Sequence, residues 1–431
     1  MLTGNLDIHR ILRIGNPFSI GPCLRPENTV CETTIMMDNP AGPPDESSTG
    51  RHIPALDGVR GLAILMVMMG HLLYSNFTFQ SNAVFRAIGY SAATGWIGVD
   101  LFFVLSGFLI TGILFDTCSG PRYFRNFYAR RMLRIFPLYY GFLFFVLLIT
   151  LAMGYSWHVG QLIATLTYTQ SLERTLHFDV TTASWVNISL FWTLAIEEQF
   201  YAVWPFAVYW LRSRRAISIA ACCGIGASLL TRIVVNKLGL WHDHPYILYS
   251  WTPSQLDGLF FGALLAMIVR SPFRAALLRW ATPAAIVGIA TLLIAMVRFP
   301  GLQMSHSLDV WAPLWLAAIF TATIGWALKP GSLANHLFSN AILRFFGRYS
   351  YGLYVFHFTI YSVLLPMRFW LDRQTGSRVL GLLSTSSLVF VLSVLAALLS
   401  YHFYERKFLK LKDRFSDSSH SPKLHDLVPT S

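Results

Sequence analysis

Charged residues are scarce in this chain of 431 residues. Aspartate, glutamate, lysine and arginine make up 13% of the sequence, whereas hydrophobic residues make up 54%. A soluble globular domain carries about 25% charged residues, so this composition excludes an ordinary soluble protein. No polar stretch of domain size stands beside the apolar segments, and no second, soluble domain is expected.

Cysteine is also rare, and its placement excludes two further kinds of site. The five cysteines are Cys23, Cys31, Cys118, Cys222 and Cys223. Their spacing is not that of a metal site, and the last two are adjacent inside an apolar segment. Neither a disulfide framework nor a metal site is therefore predicted.

Long apolar segments are what the sequence has in abundance. Each carries few charges over the ~20 residues that a helix needs to cross the hydrocarbon core of a bilayer. Strands of a membrane barrel would be about half as long and would alternate polar with apolar residues. We predict an all-α, polytopic membrane bundle of ten transmembrane helices, at about 60–76, 96–116, 135–153, 194–211, 216–235, 255–270, 281–297, 311–328, 350–370 and 379–402.

Basic residues fall between the apolar segments, where charges set the orientation of a membrane protein. The formal net charge is +12, yet with ten helices every basic cluster lands on one side, and nucleic-acid binding is not expected. The positive-inside rule makes that side cytosolic and places both termini in the cytosol. The clusters are Arg122, Arg125, Arg130, Arg131 and Arg134; Arg212, Arg214 and Arg215; Arg270, Arg274 and Arg279; and the tail at 406–414.

The apolar segments define a membrane domain at 53–410. An eleventh helix at 161–172 would move the cluster at 212–215 outside, so this segment is predicted to lie in half of the membrane or at its outer surface. Residues 1–52 contain no apolar core of a signal peptide and are rich in proline, asparagine, glycine and serine, so they are predicted to be disordered. Residues 411–431 are predicted to form a disordered cytosolic tail.

Ionisable side chains inside a membrane helix cost free energy of insertion, so their presence indicates a functional or structural role. Arg60 and His71 of the first helix are eleven residues apart, which places them on one face, ~16 Å apart along the axis. Arg60 is predicted at the cytosolic entrance and His71 in the outer half of the membrane. A histidine titrates near neutrality and suits a general base; the alternative is a helix-end histidine at the lipid headgroups.

A second basic motif combines Arg130 and Arg134. A spacing of four residues places both guanidinium groups on one helical face, beside the cytosolic membrane surface. Guanidinium groups at this spacing suit a ligand that bears phosphates. The alternative is that they set the topology or bind anionic lipids. Arg60 and Arg348 are predicted at the same inner mouth.

Adjacent carboxylates, Glu197 and Glu198, begin the fourth predicted helix at its outer end. Neutral residues would insert there at less cost, so a functional role is favoured, although carboxylates also suit a helix N-terminus. Other candidates have structural alternatives too: Ser106 with Gly107 in a packing seam, and His357 as a pocket wall or structural partner. The further pocket candidates are Asp57, Asp100, Ser106, Asp257 and His357.

The charge layout suits a ligand with phosphates at the inner mouth and a reactive end several helical turns away. It also suits a transporter of an anionic or proton-coupled solute, which predicts inverted repeats and interrupted helices. No such repeats are visible in the sequence.

Five sequence blocks, in order, resemble the type 3 membrane acyltransferase family, whose members acetylate O-antigens, exopolysaccharides, peptidoglycan and some macrolides. The resemblance runs from about Ile53 to Phe408, so it covers nearly the whole membrane domain. The blocks are Leu56 to Gly61 with His71, Gly98 to Phe108, Arg130 to Pro137, Trp192 to Tyr201, and Gly347 to His357.

The resemblance implies roles for particular residues. The spacing of Arg60 and His71 matches the Arg-x10-His motif of the family, in which the histidine is the proposed catalytic residue. The spacing of Arg130 and Arg134 matches its Arg-x3-Arg motif, proposed to hold the acyl-CoA. It also implies that Glu197 and the adjacent glutamate are functional.

By this resemblance the protein is expected to be an O-acyltransferase of the bacterial cytoplasmic (inner) membrane. It would move an acyl group from cytosolic acyl-CoA to a hydroxyl of a carbohydrate or lipid-linked glycan at the outer side. The resemblance implies that this acyl group is acetyl. His71 would act as general base in direct transfer, or would carry the acyl group as an intermediate; neither route needs a metal. Many members append an extracytoplasmic hydrolase-like domain. None follows Phe408 here, so a separate extracytoplasmic transfer protein is an expected partner.

Overall fold

The computed structural model describes residues 53–77, 83–154, 159–172, 188–244, 246–299 and 309–415. Every regular element in these ranges is a helix. Residues 1–52 and 416–431, predicted to be disordered, lie outside the described residues. Helical structure continues to Phe415, past the predicted boundary at 410, and the guanidinium group of Arg125 lies 5.6 Å from the ring centroid of Phe415.

Sixteen α-helices are labelled here in chain order. They are α1 (Pro54–Phe77), α2 (Ala83–Ala93), α3 (Ile97–Thr117), α4 (Tyr123–Ala152), α5 (Val159–Leu166), α6 (Trp192–Leu211), α7 (Arg214–Lys237), α8 (Ile247–Ser250), α9 (Thr252–Gln255), α10 (Asp257–Val269), α11 (Arg274–Arg298), α12 (Ala312–Ala327), α13 (Leu333–Phe338), α14 (Ala341–Thr375), α15 (Arg378–Leu399) and α16 (Arg406–Leu411).

Within the described residues, six stretches of helix are long and apolar enough to cross a membrane by length and composition, so the chain is an integral membrane protein. They contain α1, α2 with α3, α4, α7, α11, and α15 with the helical turns after it. Each of the ten predicted segments overlaps a helix of the structure, including α6, α10, α12 and α14. That all ten cross the bilayer, with both termini in the cytosol, stays a prediction.

The helices α1 and α14 cross with their backbones in close approach. A Cβ atom on Gly61 would lie 1.9 Å from the carbonyl oxygen of Leu343, and one on Gly347 would lie 1.9 Å from that of Asp57. The hydrophobic effect adds little to helix association within a bilayer, so membrane helices associate by close packing at small residues. The crossing therefore fixes α14 against the part of α1 that carries Arg60.

A second close crossing joins α3 to α10. A Cβ atom on Gly107 would lie 1.9 Å from the carbonyl oxygen of Leu259, and one on Gly262 would lie 2.0 Å from that of Val104. At the ends of these helices Arg270 donates to both carboxylate oxygens of Asp116, at 2.8 and 2.6 Å. The glycines and this ion pair fix the depth at which Ser106 of α3 lies in the bundle.

The loop ends that carry basic residues meet at one end of the bundle. Arg214 at the start of α7 donates to the carbonyl oxygen of Arg270, which follows α10. Because α3 also ends beside Arg270, the loops at 118–122, 212–213 and 270–273 lie on the same side. Their assignment to the cytosol follows from the positive-inside rule and stays a prediction.

The apolar segment at 161–172 overlaps the eight-residue helix α5, which begins two residues before it. Eight residues rise ~12 Å, too little to cross the hydrocarbon core, in line with the predicted partial insertion. The hydroxyls of Tyr139 and Tyr140 donate to the carbonyl oxygens of Thr165 and Leu166, at 2.7 and 2.9 Å. The segment is thereby tied to α4.

The α1–α14 crossing predicts a contrast between two glycine substitutions. We expect Gly347→Ala to lower stability by about 1–3 kcal/mol, the usual cost of overpacking, because its Cβ would overlap the carbonyl of Asp57. Gly226→Ala on α7 is the matched control, since a Cβ there meets nothing within 4 Å. Thermal unfolding in detergent measures both, and equal midpoints for the two variants would contradict this account of the crossing.

Candidate active site

Three guanidinium groups come together near the end of the bundle where α1 and α4 begin. Arg60 lies on α1, and Arg131 and Arg134 lie on α4; each is within electrostatic range of the other two. Asp57 lies beside them, with its Oδ1 3.5 Å from Nη1 of Arg60. Because like charges repel each other, this arrangement favours an anion that contacts several of the arginines at once.

The arginines of this group differ in how accessible they are to a ligand. The guanidinium carbon of Arg131 lies 3.9 Å from the ring centroid of Tyr201, so a cation–π contact holds it against α6. The side chain of Arg134 is exposed and that of Arg60 is 21% accessible. These two are therefore open to a ligand, while Arg131 supplies a fixed charge behind them.

Two other predicted arginines are not among these three. Arg130 is in electrostatic range of Asp413, in the turn after α16, and Arg348 is exposed on α14. The sequence spacing pairs Arg134 with Arg130. In the structure, Arg131 accompanies Arg134 at the arginine group. The sequence analysis missed this role for Arg131, although a spacing of three residues also places two side chains on one helical face.

The paired glutamates of α6 face different surroundings. Ser106 of α3 donates a 2.6 Å hydrogen bond to Oε1 of Glu197, whose carboxylate is also within electrostatic range of Arg131 and Arg60. It therefore offsets part of the positive charge of the arginine group. Glu198 also lies near Arg131.

One carboxylate oxygen of Glu198 is of particular interest. Its Oε1 is buried and has no hydrogen-bond partner within the described ranges. Five tyrosines of the described ranges lie within electrostatic range of this carboxylate: Tyr139, Tyr140, Tyr168, Tyr201 and Tyr351. A buried acceptor that the protein leaves unpaired marks a position for a donor from a ligand.

Two histidines meet further along α1 and α14. Nε2 of His357 lies 3.2 Å from Nδ1 of His71, and Nδ1 of His357 lies 2.8 Å from the carbonyl oxygen of Leu353. His357 is fully buried, whereas His71 is half-buried, with the ring of Phe358 centred 4.9 Å away. Of the two rings, only that of His71 is accessible to a substrate.

Hydrogen bonds hold the backbone on both sides of the histidine pair. Ser386 of α15 donates to the carbonyl oxygen of Leu72 at 3.0 Å. Tyr354, one helical turn before His357, shares a hydrogen bond with the hydroxyl of Thr193 at the start of α6. The pair is therefore built into the contact of α1, α6, α14 and α15.

The carboxylates of Asp100 and Asp257 lie around a fully buried arginine, Arg232 of α7. Nη2 of Arg232 donates to Oδ2 of Asp257 at 2.8 Å, and its Nε donates to the carbonyl oxygen of Val310 at 2.8 Å. Its Nη1 donates to the carbonyl oxygen of Ser254. Asp100 is buried within electrostatic range of both ions. These contacts give the cluster a structural role that the sequence analysis did not foresee.

The structure thus divides the predicted site residues into groups. Asp57, Arg60, Ser106, Arg134, Glu197 and Glu198 lie in or beside the arginine group; His71 pairs with His357; Asp100 and Asp257 surround Arg232. Arg130 lies within electrostatic range of Asp413, and Arg348 is exposed on α14.

Comparison with known proteins gives one family. The family model described as an acyltransferase domain matches residues 53–404, which includes the arginine group, the histidine pair and the Arg232 cluster. No solved structure matches.

Curated relatives are similar over most of this chain. A "Putative peptidoglycan O-acetyltransferase" of Bacillus subtilis is 28% identical over 374 residues, covering 83% of this chain and 55% of that protein. A "Peptidoglycan O-acetyltransferase" of Listeria monocytogenes is 27% identical over 342 residues, covering 74% of this chain and 50% of that protein. A "Putative O-acetyltransferase" of Staphylococcus aureus (strain COL) is 26% identical, covering 84% and 58%. The chain spans about half the length of these relatives.

The Arg232 cluster predicts a large loss of stability when its cation is removed. We expect Arg232→Met to cost about 3–5 kcal/mol, because it leaves Asp257 buried without its partner. Arg232→Met combined with Asp257→Asn should recover part of the loss, and Arg215→Met, at an exposed position of the same helix, should change little. Thermal midpoints in detergent test this; a wild-type midpoint for Arg232→Met would rule out the structural role.

Proposed function

Because this chain belongs to the type 3 membrane acyltransferase family, we propose that it transfers an acetyl group from cytosolic acetyl-CoA to a hydroxyl of a cell-envelope glycan. The observation that carries the proposal is that Arg60, a member of the arginine group, and the partly exposed His71 lie on one helix, α1. The membrane would be the cytoplasmic membrane of a bacterium, with the arginine group toward the cytosol and the histidine toward the outer side.

The donor's phosphates would bind at the arginine group. Coenzyme A carries a diphosphate and a 3′-phosphate, and such a polyanion relieves the repulsion among Arg60, Arg131 and Arg134. Arg60 and Arg134 are accessible to it, while Arg131 is held against Tyr201. A ligand with a single charge would satisfy this group less well, which favours a nucleotide-bearing donor.

The acyl group would then reach His71 along α1. Arg60 and His71 are eleven residues apart, a rise of ~16 Å, and an extended pantetheine arm spans a distance of this order. The donor would therefore lie parallel to α1, with its phosphates at one end of the helix and its thioester near the other.

The reaction itself needs a base for the acceptor hydroxyl. A ring nitrogen of His71 takes the hydroxyl proton while the oxygen attacks the thioester carbonyl carbon, and the new carbon–oxygen bond forms. The carbon–sulfur bond then breaks, and the proton passes from the imidazolium to the departing sulfur of coenzyme A. Direct transfer uses His71 only as acid and base; attack by His71 itself would give an acyl-histidine, which the acceptor then cleaves.

The glutamates would serve the donor end of the site. Glu197, held by Ser106 at 2.6 Å, balances Arg60 and Arg131 and so keeps both guanidinium groups in place before the donor binds. The buried, unpaired oxygen of Glu198 would accept a hydrogen bond from an amide group of the pantetheine arm. This proposal gives Glu197 a role at the arginines.

The acceptor class is taken from the relatives. Two of those compared are named peptidoglycan O-acetyltransferases, so we propose a hydroxyl of peptidoglycan or of a related envelope glycan as the acceptor. Each relative extends well beyond the part that this chain matches. We propose the acetyl-transfer step for this chain, and onward delivery of the acetyl group by a separate extracytoplasmic protein.

Binding of labelled acetyl-CoA to protein in detergent tests the donor site. Arg134→Ala should raise the Kd about tenfold, because a hydrogen bond to a charged group is worth about 1.5–3 kcal/mol. Arg131→Ala/Arg134→Ala should raise it about 100-fold, because the fixed charge of Arg131 is lost as well. Arg215→Ala, at the exposed start of α7, is the matched control. Arg130→Ala should weaken binding much less, and the reverse order for Arg130 and Arg131 would restore the pair suggested by spacing alone.

Substitution of the proposed base tests the chemistry. His71→Ala should lower the rate of acetyl transfer at least 100-fold, the usual contribution of a general base, with an unchanged Kd for acetyl-CoA, since the arginines are far from the ring. Release of coenzyme A in the presence of soluble peptidoglycan fragments measures the rate. Transfer at the wild-type rate would remove His71 from the mechanism, and loss of donor binding would point to a folding defect instead.

A further inference from the structure

The hydrogen bonds of His357 to the backbone of its own helix and to His71 determine which of its ring nitrogens carries a proton. The carbonyl oxygen of Leu353 is an acceptor only, so Nδ1 of His357 must be the donor across 2.8 Å. The ring has no exposed surface, and a buried imidazolium without a counter-ion would be costly. A neutral imidazole carries one proton, and here it lies on Nδ1. Nε2 of His357 is therefore an acceptor.

This assignment passes to the partner ring. Nδ1 of His71 lies 3.2 Å from the acceptor Nε2 of His357, so Nδ1 of His71 must carry the proton. We propose that His357 is a positioning residue that fixes His71 in the Nδ1-protonated tautomer, so that Nε2 of His71 is the nitrogen that accepts the substrate proton. The proposal rests on the proposed function of His71 as base.

The arrangement assists both states of the base. In the resting state the hydrogen bond holds the ring plane of His71 and excludes the tautomer in which Nε2 is protonated and cannot accept. When Nε2 takes the acceptor proton, the ring becomes an imidazolium, and its Nδ1–H now donates to a neutral nitrogen as a charge-assisted hydrogen bond. A carboxylate usually fills this place in hydrolase triads; here an uncharged ring does so.

A neutral acceptor suits the location of the pair. The ring of His357 is anchored by its own helix through Leu353, and α14 is held to α6 through Tyr354 and Thr193. A carboxylate in the same buried position would need further donors to offset its desolvation. The second histidine thus orients the base without placing a permanent charge among the helices.

The tautomer can be read directly by nitrogen-15 NMR of the full chain, labelled at histidine and reconstituted in lipid nanodiscs. The ring signals of His71 and His357 are assigned by their loss in His71→Ala and His357→Phe. We expect a protonated Nδ1 and an unprotonated Nε2 on both rings at the pH of activity. A proton on Nε2 of His71 overturns the proposal, and so does a doubly protonated His357.

Kinetics give a second, independent test, with acetyl-CoA and soluble peptidoglycan fragments as substrates. His357→Phe keeps a ring but removes the acceptor, and we expect kcat to fall about 10- to 100-fold, as on loss of other orienting partners, with KM for acetyl-CoA unchanged. His357→Gln offers an amide oxygen as acceptor and should recover most of the loss. A purely structural role predicts the opposite order, with the aromatic variant more active than the amide.

The failure of this proposal is distinguishable from failure of the proposed function. An inactive His71→Ala with fully active His357→Phe would leave His71 as base and remove His357. An active His71→Ala would remove the base itself, whatever the tautomer. Should His357→Phe fail to give a monodisperse protein, the wild-type NMR spectrum and His357→Gln still decide the question.

Discussion

Gly61 of α1 and Gly347 of α14 leave no room for a side chain between the two backbones, and the site depends on this close crossing. It determines which part of α14 lies beside which part of α1. With the helices held at this separation, the ring of His357 contacts that of His71 further along the two helices. Asp57 and Arg60 lie beside the start of α14. Any wider spacing would separate the two rings.

The arginine group shows how the membrane environment shapes a binding site. Three guanidinium groups near one another would repel each other, and burial would increase that repulsion. The protein offsets it with Asp57, with Glu197 and with the ring face of Tyr201, yet leaves Arg134 exposed. These neighbours offset part of the repulsion without a ligand, and positive charge remains for an anionic one.

The Arg232 cluster illustrates the other use of buried charge. All three nitrogens of its guanidinium group have acceptors, two of them backbone carbonyls. Arg232 is fully buried, unlike the accessible Arg60 of α1 and Arg134 of α4. In the sequence, however, Asp100 and Asp257 are as unusual among apolar residues as those arginines are. Ionisable residues in membrane helices therefore divide into those that hold helices together and those that meet a ligand, and the extent of hydrogen bonding separates the two.

The sequence by itself determined the class of fold, the position of ten helical segments and the first candidate site residues. This was possible because apolar length and the cost of charge in a bilayer are local properties of the chain. The segment at 161–172, which overlaps the short helix α5, was predicted from the placement of basic clusters not to cross the membrane, and this stays a prediction. Arg60 and His71 could be placed on one face because helical periodicity is fixed.

Only the tertiary structure decided which of these residues meet. Periodicity places Arg131 and Arg130 equally close to Arg134, and the packing of α6 against α4, through Tyr201, brings Arg131 to the group. The partner of His71 lies 286 residues away on α14, and that of Asp257 lies on α7. Contacts between helices depend on crossing points set by small residues far apart in the sequence, and no local pattern encodes them.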